Sequence, residues 1–276
     1  MIRFTKAKVL QKARPRSSGG KKTALDKLYS FLNNAEPEAI EFLVSFWNTQ
    51  AQGVTYAELR EACLAGEITP QLYQRWTDDY SRFIQNRLAP LWAQASAAGA
   101  AEVSMKYPRF VYEPSVSDAM GFIKAHGAEL VTNITEEQRK ALNAVISHIS
   151  GYTAITPDEA ARMIRPTVGL TVGQTLANVR HRQAVEAAYL KAHPKCNPKT
   201  ARRKAAESAA RYAGRQHRYR AQNIARTELA FAYNAGAYGA TKDAQARGYI
   251  GKCVKVWLTA YDERVCPICS AMDDER

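Results

Sequence analysis

Apolar residues recur along this chain at three- and four-residue intervals and seldom alternate, which is the period of helices packed on one face. The first such run follows Thr23, where Leu25, Leu28, Tyr29 and Leu32 share a face up to Asn33-Asn34. A second starts near Pro37 and stacks Ile40, Leu43, Val44 and Trp47. Thr55 with Glu58 three residues on is a capping box: the hydroxyl and the carboxylate satisfy each other's backbone N–H groups, and Gly66 closes the helix they open. Thr69-Pro70 opens a further helix carrying Leu72, Trp76, Phe83, Ile84, Leu88, Leu91 and Trp92 to the Ala/Gly-rich stretch at 95–100.

Between Tyr107 and Val116, two prolines and alternating Phe110 and Tyr112 predict an extended connector, and a soft boundary at 107–116 separates an N-terminal helical region, 23–106, from the rest. Beyond it, Ser117 is the expected cap of a short helix through Met120, Phe122 and Ile123. Thr135 is the expected cap of the next, with Leu142, Val145, Ile146 and Ile149 on one face. Thr156-Pro157-Asp158-Glu159 repeats the cap grammar ahead of Ala160, Met163 and Ile164 until Pro166, and Thr171 starts another helix. The pattern predicts a mainly α fold of helical hairpins and bundle with no βαβ alternation. It adds one small strand, where Val254, Val256 and Leu258 alternate with Lys255 and Trp257 before a turn into Cys266-Pro267-Ile268-Cys269.

Composition changes this picture little: 46% apolar residues suffice for packed cores, and no apolar run is long enough to cross a bilayer, so no membrane association is expected. Charge changes it more. Residues 1–22 carry eight basic and no acidic side chains, the makeup of a flexible basic arm and not of a signal peptide. Residues 176–226 carry thirteen basic and two acidic ones. The overall +13 is therefore confined to two places, at +8 and +11, and the remainder is at −6, as expected of a chain that meets a polyanion.

From Asn197 to at least Gly214, the spacing predicts a thin helix with Ala206, Ala209, Ala210 and Ala213 on one side and Lys204, Arg211, Arg215 and Arg218 along the other. With Arg202, Arg203 and Arg220 these are the candidate nucleic-acid-binding residues. An ordinary solvated helix face is the alternative reading, and the scarcity of acidic partners one turn away weakens it, since such a face usually mixes signs.

The chain continues as QNIARTELAFAYNAGAYGATKDAQARGYIGKCVKVWLTAYDERVCPIC. Ala232, Gly236 and Ala240 stand four apart, a small-residue line admitting close approach of another helix, while Arg226 and Glu228 need partners if their helix is buried. This order resembles the Mu F-like head morphogenesis family of phage minor head proteins. The resemblance rests on IARTE at 224–228, Asn234, Gly236 and the run from Val254 to Cys269, with looser support from TNITEEQRKAL at 132–142 and IRPTVGLT at 164–171, and covers about residues 115–276. It marks Arg226, Glu228, Gly236, Trp257 and Asp262 as structural motif positions within a head-morphogenesis-like region, 117–276. It implies a virion protein present in few copies, at the capsid interior or portal vertex after assembly in the host cytoplasm. The implied partners are the portal protein, major capsid or scaffold proteins, and packaged double-stranded DNA. The family pattern continues past its CxxC with a Gly and an HPxCRC-like element, whereas this sequence ends at Met272-Asp273-Asp274-Glu275-Arg276, as a shortened chain would.

Cys266 and Cys269 provide half of a tetrahedral zinc site; Cys253 is the nearest third ligand and no histidine offers a fourth, so a reduced knuckle or a disulfide remains open beside zinc. Otherwise no cofactor is expected. The chain lacks GxxxxGK[ST], HExxH and GxSxG, and its five histidines are dispersed, which argues against an enzyme. Two alternatives stand beside the head protein: a nucleic-acid-binding module unrelated to virions, and a metal-dependent nuclease using Asp262 and Glu263 or the acids at 273–275.

Overall fold

The computed structural model describes residues 19–112, 116–150, 155–253 and 265–272, and among them the chain is all-α, with no strand. The helices are α1 (Gly19–Gly53), α2 (Tyr56–Ala65), α3 (Pro70–Phe83), α4 (Ala89–Lys106), α5 (Val116–Ser150), α6 (Pro157–Ile164), α7 (Val172–Ala192), α8 (Pro198–Ala246) and the short α9 (Pro267–Ala271). A π-helical turn, Ile84–Leu88, joins α3 to α4, and a 3-10 turn, Arg165–Thr167, follows α6. The strand expected at 254–258, with Trp257 and Asp262, lies outside the described residues.

Most caps lie where the sequence places them; those expected at Ser117 and Thr135 do not, because both residues lie within the single helix α5. Thr55 with Glu58, Thr156 with Glu159, and Thr171 with Gln174 each form a complete capping box. Asn197 caps α8, its side chain accepting from the Lys199 N–H at 2.9 Å. At the opposite kind of terminus, Arg165 donates to the carbonyls of Ala51 (2.7 Å) and Gln52 (3.0 Å), closing the C-terminal end of α1.

Helix continuity departs from expectation. The break at Asn33-Asn34 is absent and α1 runs through Pro37. Asn33, Asn34 and Pro37 face solvent, where water can take the carbonyl that the proline leaves free, while Leu32, Ala39 and Leu43 on the other side are buried and hold the rod together. Likewise α5 is a single helix across both predicted segments. Thr135 is buried in its interior and donates its hydroxyl to the Val131 carbonyl (2.7 Å) instead of capping. The rod α3–α4 passes Pro90 by slipping register: the Ala89 N–H reaches back five residues to Ile84, so the turn ahead of the proline is π-helical.

Helix α8 is the spine, packing most extensively on α4 and then on α1 and α7. Its buried positions, Ala201, Ala205, Ala209, Ala213, His217, Ala221, Ala225, Leu229 and Tyr233, recur every four residues. Four residues turn about 400°, so this seam rotates by about 40° per step and winds round the helix from one packing partner to the next. One core joins Leu32, Leu43, Trp47, Tyr80, Trp92, Ile134, Ala225 and Leu229, drawn from both sides of the 107–116 connector. A second gathers Leu59, Trp76, Leu142, Ile146, Ile164 and Val179, and a third holds Phe110 against Ala240 and Ala244.

Candidate nucleic-acid interface

Helices α7 and α8 form an antiparallel pair whose buried seam is made of small and polar groups. Ala201, Ala205, Ala209 and Ala213 let α7 approach closely; of the alanines expected on that side, Ala206 is half-buried and Ala210 is exposed, because the seam follows a four-residue step. Asn178, buried on α7, donates to the Ala209 carbonyl (3.0 Å) and to the Gln216 side-chain oxygen (3.2 Å). Gln216 in turn donates to the Gln174 carbonyl at 2.9 Å, and His181 meets Ser208 at 3.0 Å. Satisfied buried polar groups fix the register of two helices that apolar contact alone would let slide.

This register sends Lys204, Arg211, Arg215 and Arg218 to solvent. From Lys204 to Arg218 the helix rises about 21 Å, on the order of six phosphate steps of a nucleic-acid strand. Among the described residues no carboxylate lies within ion-pair distance of Arg211, Arg215 or Arg218. The Arg215 guanidinium stands over the Tyr212 ring at 5.5 Å, and Tyr219 is 63% exposed beside Arg215 and Arg218 on the same face. These two tyrosines were missed in the sequence; their interleaving with arginine in RYAGRQHRYR was the available signal.

The other candidate cations are engaged. Arg202 bridges Glu159 (2.5 Å) and Glu186 (3.5 Å), tying α8 to α6 and α7, and Arg203 pairs with Glu207 at 2.7 Å. Lys204 lies 3.9 Å from the same Glu207 carboxylate, a loose and exposed contact worth little in water. Arg220 corrects the expectation outright. Its side chain is buried, donating to the Gly169 carbonyl (2.5 Å) and to Glu137, with the guanidinium 5.3 Å from the Trp47 ring centre. Two residues along a helix is about 200° of rotation, so Arg220 points inward where Arg218 points out.

The resemblance motif occupies the second half of α8. Arg226 meets Glu36 of α1 through two guanidinium nitrogens (2.6 and 3.3 Å), and Glu36 is buried. Glu228 meets His126 of α5 at 2.5 Å, with Trp92 and Phe231 packed against that imidazole. Both polar residues thus have partners, inside the continuous helix α8. Gly236 supplies the close approach: a Cβ there would fall 1.9 Å from the Ser96 carbonyl oxygen of α4, and one at Gly99 would fall 1.9 Å from the Tyr233 carbonyl oxygen of α8.

Cys266 caps α9, and its sulfur accepts the Cys269 N–H at 3.3 Å. That bond, with another from the Cys269 thiol, lowers the Cys266 pKa below the usual thiol value. Donation to Cys266, with some burial, raises that of Cys269. All five cysteines are free thiols, Cys253 is exposed, and among the described residues no three potential ligands gather as a metal centre. No described helix is long and apolar enough to cross a membrane.

Comparison with family models, with curated proteins and with solved structures gives no match for this chain.

Proposed function

We propose that this protein is a non-enzymatic minor head-morphogenesis component of a tailed-phage virion. In this reading it associates with the portal and with capsid or scaffold proteins, and it contacts packaged double-stranded DNA through α8. One observation carries the DNA-contacting part: Arg211, Arg215 and Arg218 form a solvent-facing stripe without carboxylate partners among the described residues, whereas Arg202, Arg203 and Arg220 on the same helix are each paired with a carboxylate. Unneutralised arginines at one-turn spacing suit the phosphate backbone, which rewards cations through counterion release and asks for no base readout. The virion part is supported by the IARTE and Val254–Cys269 resemblance. In that frame Arg226, Glu228 and Gly236 act as the packing frame that presents the stripe.

Procapsids assembled with and without portal test the reading. The protein is expected in portal-containing particles and not in portal-free ones; equal incorporation in both would remove the portal from its partners. A nucleic-acid-binding module unrelated to virions shares the arginine stripe and predicts DNA binding with no procapsid incorporation. The nuclease alternative rests on acids at 262–263 and 273–275, outside the described residues.

A further inference from the structure

An open cleft of about 420 Å³ lies between α1 and the α3–π-turn segment, on residues that the proposed DNA contact does not use. Phe46, stacked on Phe83 with ring centres 4.3 Å apart, forms its apolar wall, and Arg75, Arg82 and Arg87 line it. Two of these arginines are engaged, Arg75 with Glu58 (2.7 Å) and Arg82 with Asp79 (2.6 Å). Arg87 lies 5.1 Å from the Phe42 ring centre and has no carboxylate partner among the described residues. It is carried on the π-helical turn that Pro90 imposes, a local register slip of the kind that recurs at functional sites. Gln50, 5% exposed, lines the same cleft, and neither its amide nitrogen nor its amide oxygen has a hydrogen-bond partner among the described residues.

We propose that this cleft docks an extended acidic segment of a partner protein: a peptide group pairs with Gln50, an apolar side chain lies against Phe46, and a neighbouring carboxylate reaches Arg87. A buried amide with both hydrogen-bonding atoms orphaned gains most from a partner offering a donor and an acceptor side by side, as the N–H and C=O of one extended residue do. Arg87 favours a carboxylate, since a planar guanidinium receives it in two parallel hydrogen bonds. The open shape favours a strand-like peptide over a nucleotide, whose sites enclose most of the ligand.

Selection of a random displayed peptide library on the full-length protein tests this. Enriched peptides are expected to place an apolar residue next to Asp or Glu. Their affinity should fall at least tenfold, about 1.4 kcal/mol, in both Arg87→Glu and Gln50→Met. Gln50→Met should also raise the thermal midpoint, because it removes the orphaned amide; a loss of binding in a more stable protein cannot be unfolding. The proposal is overturned if no acidic family is enriched, or if the enriched peptides bind both variants as well as the parent. It is equally overturned if Arg87→Glu abolishes binding of a single-stranded oligonucleotide while sparing the peptides.

Discussion

At Gly169, a glycine, an imidazole, a guanidinium and an indole meet in one buried node. The backbone takes φ +87°, where only glycine is at ease, and a Cβ would sit 2.4 Å from Trp47 Cγ. That backbone turns two carbonyls inward: Gly169 accepts from Arg220, and Val168 accepts from His217 Nε2 at 2.8 Å. Trp47 covers both side chains and donates its indole N–H to the Tyr80 hydroxyl (2.9 Å), which passes a hydrogen bond to Gln138 (2.7 Å). Burial pushes the Tyr80 phenol above its ordinary range and lowers the pKa of His217, with the nearby Arg220 charge adding to the latter. Because the folded state resists protonating His217, its neutral form contributes stability at pH values above the ordinary histidine pKa of about 6.5. That contribution is lost as pH falls below that value toward the lower folded pKa. The urea midpoint of the parent should therefore drop on acidification from about pH 7 to about pH 5 more than that of His217→Gln, which keeps a donor for Val168. Parallel profiles for the two proteins would remove His217 from the account.

Among elements, the crossing of α4 and α8 is set by backbone and not by side chains. Gly99 faces the Tyr233 carbonyl and Gly236 faces the Ser96 carbonyl, so each helix offers the other a place without a Cβ. Gly99→Ala or Gly236→Ala should each destabilise by about 3 kcal/mol, since the clash is with main chain that can move only by separating the helices. Gly214→Ala, on the same α8 with nothing within 4 Å, should instead stabilise by about 0.5–1 kcal/mol. Chemical denaturation of the three variants checks the opposite signs. The small-residue line at Ala232, Gly236 and Ala240 was legible in the sequence because four-residue spacing marks one face over a short stretch. The full seam was not, because over 49 residues its drift carries it round the helix and no fixed stripe survives averaging. Breaks read at Pro37 and Thr135 failed for a related reason: a proline or a threonine biases a helix locally, and burial of Leu32, Ala39, Val131 and Ile134 outweighs that bias.

For the whole molecule, the consequence is a separation of charge by accessibility. Arg202 stitches α8 to α6 and α7, Arg203 and Lys204 share Glu207 within α8, Arg220 lies in the core, and Arg211, Arg215 and Arg218 alone among the sequence-nominated cations remain exposed without a nearby carboxylate among the described residues. If those three meet phosphates, replacing all of them by alanine should weaken plasmid binding and flatten the plot of log K against log salt by about 3. An unchanged slope in a protein of unchanged stability would move the DNA contact elsewhere.

The sequence by itself determined the caps at Thr55, Thr69, Thr156 and Thr171, the all-α character of the described residues, the glycine at a close crossing and the segment that holds the cationic stripe. Each depends on groups within about one helical turn, whose hydrogen bonds and spacing the order of residues spells out. Only the tertiary structure decided which arginines of that segment face solvent, which helices run unbroken past proline, and that Glu36 and His126 are the partners of Arg226 and Glu228. Those choices depend on which distant helix covers a given side of α8, and a winding seam puts Arg218 in water and Arg220 in the core two residues apart.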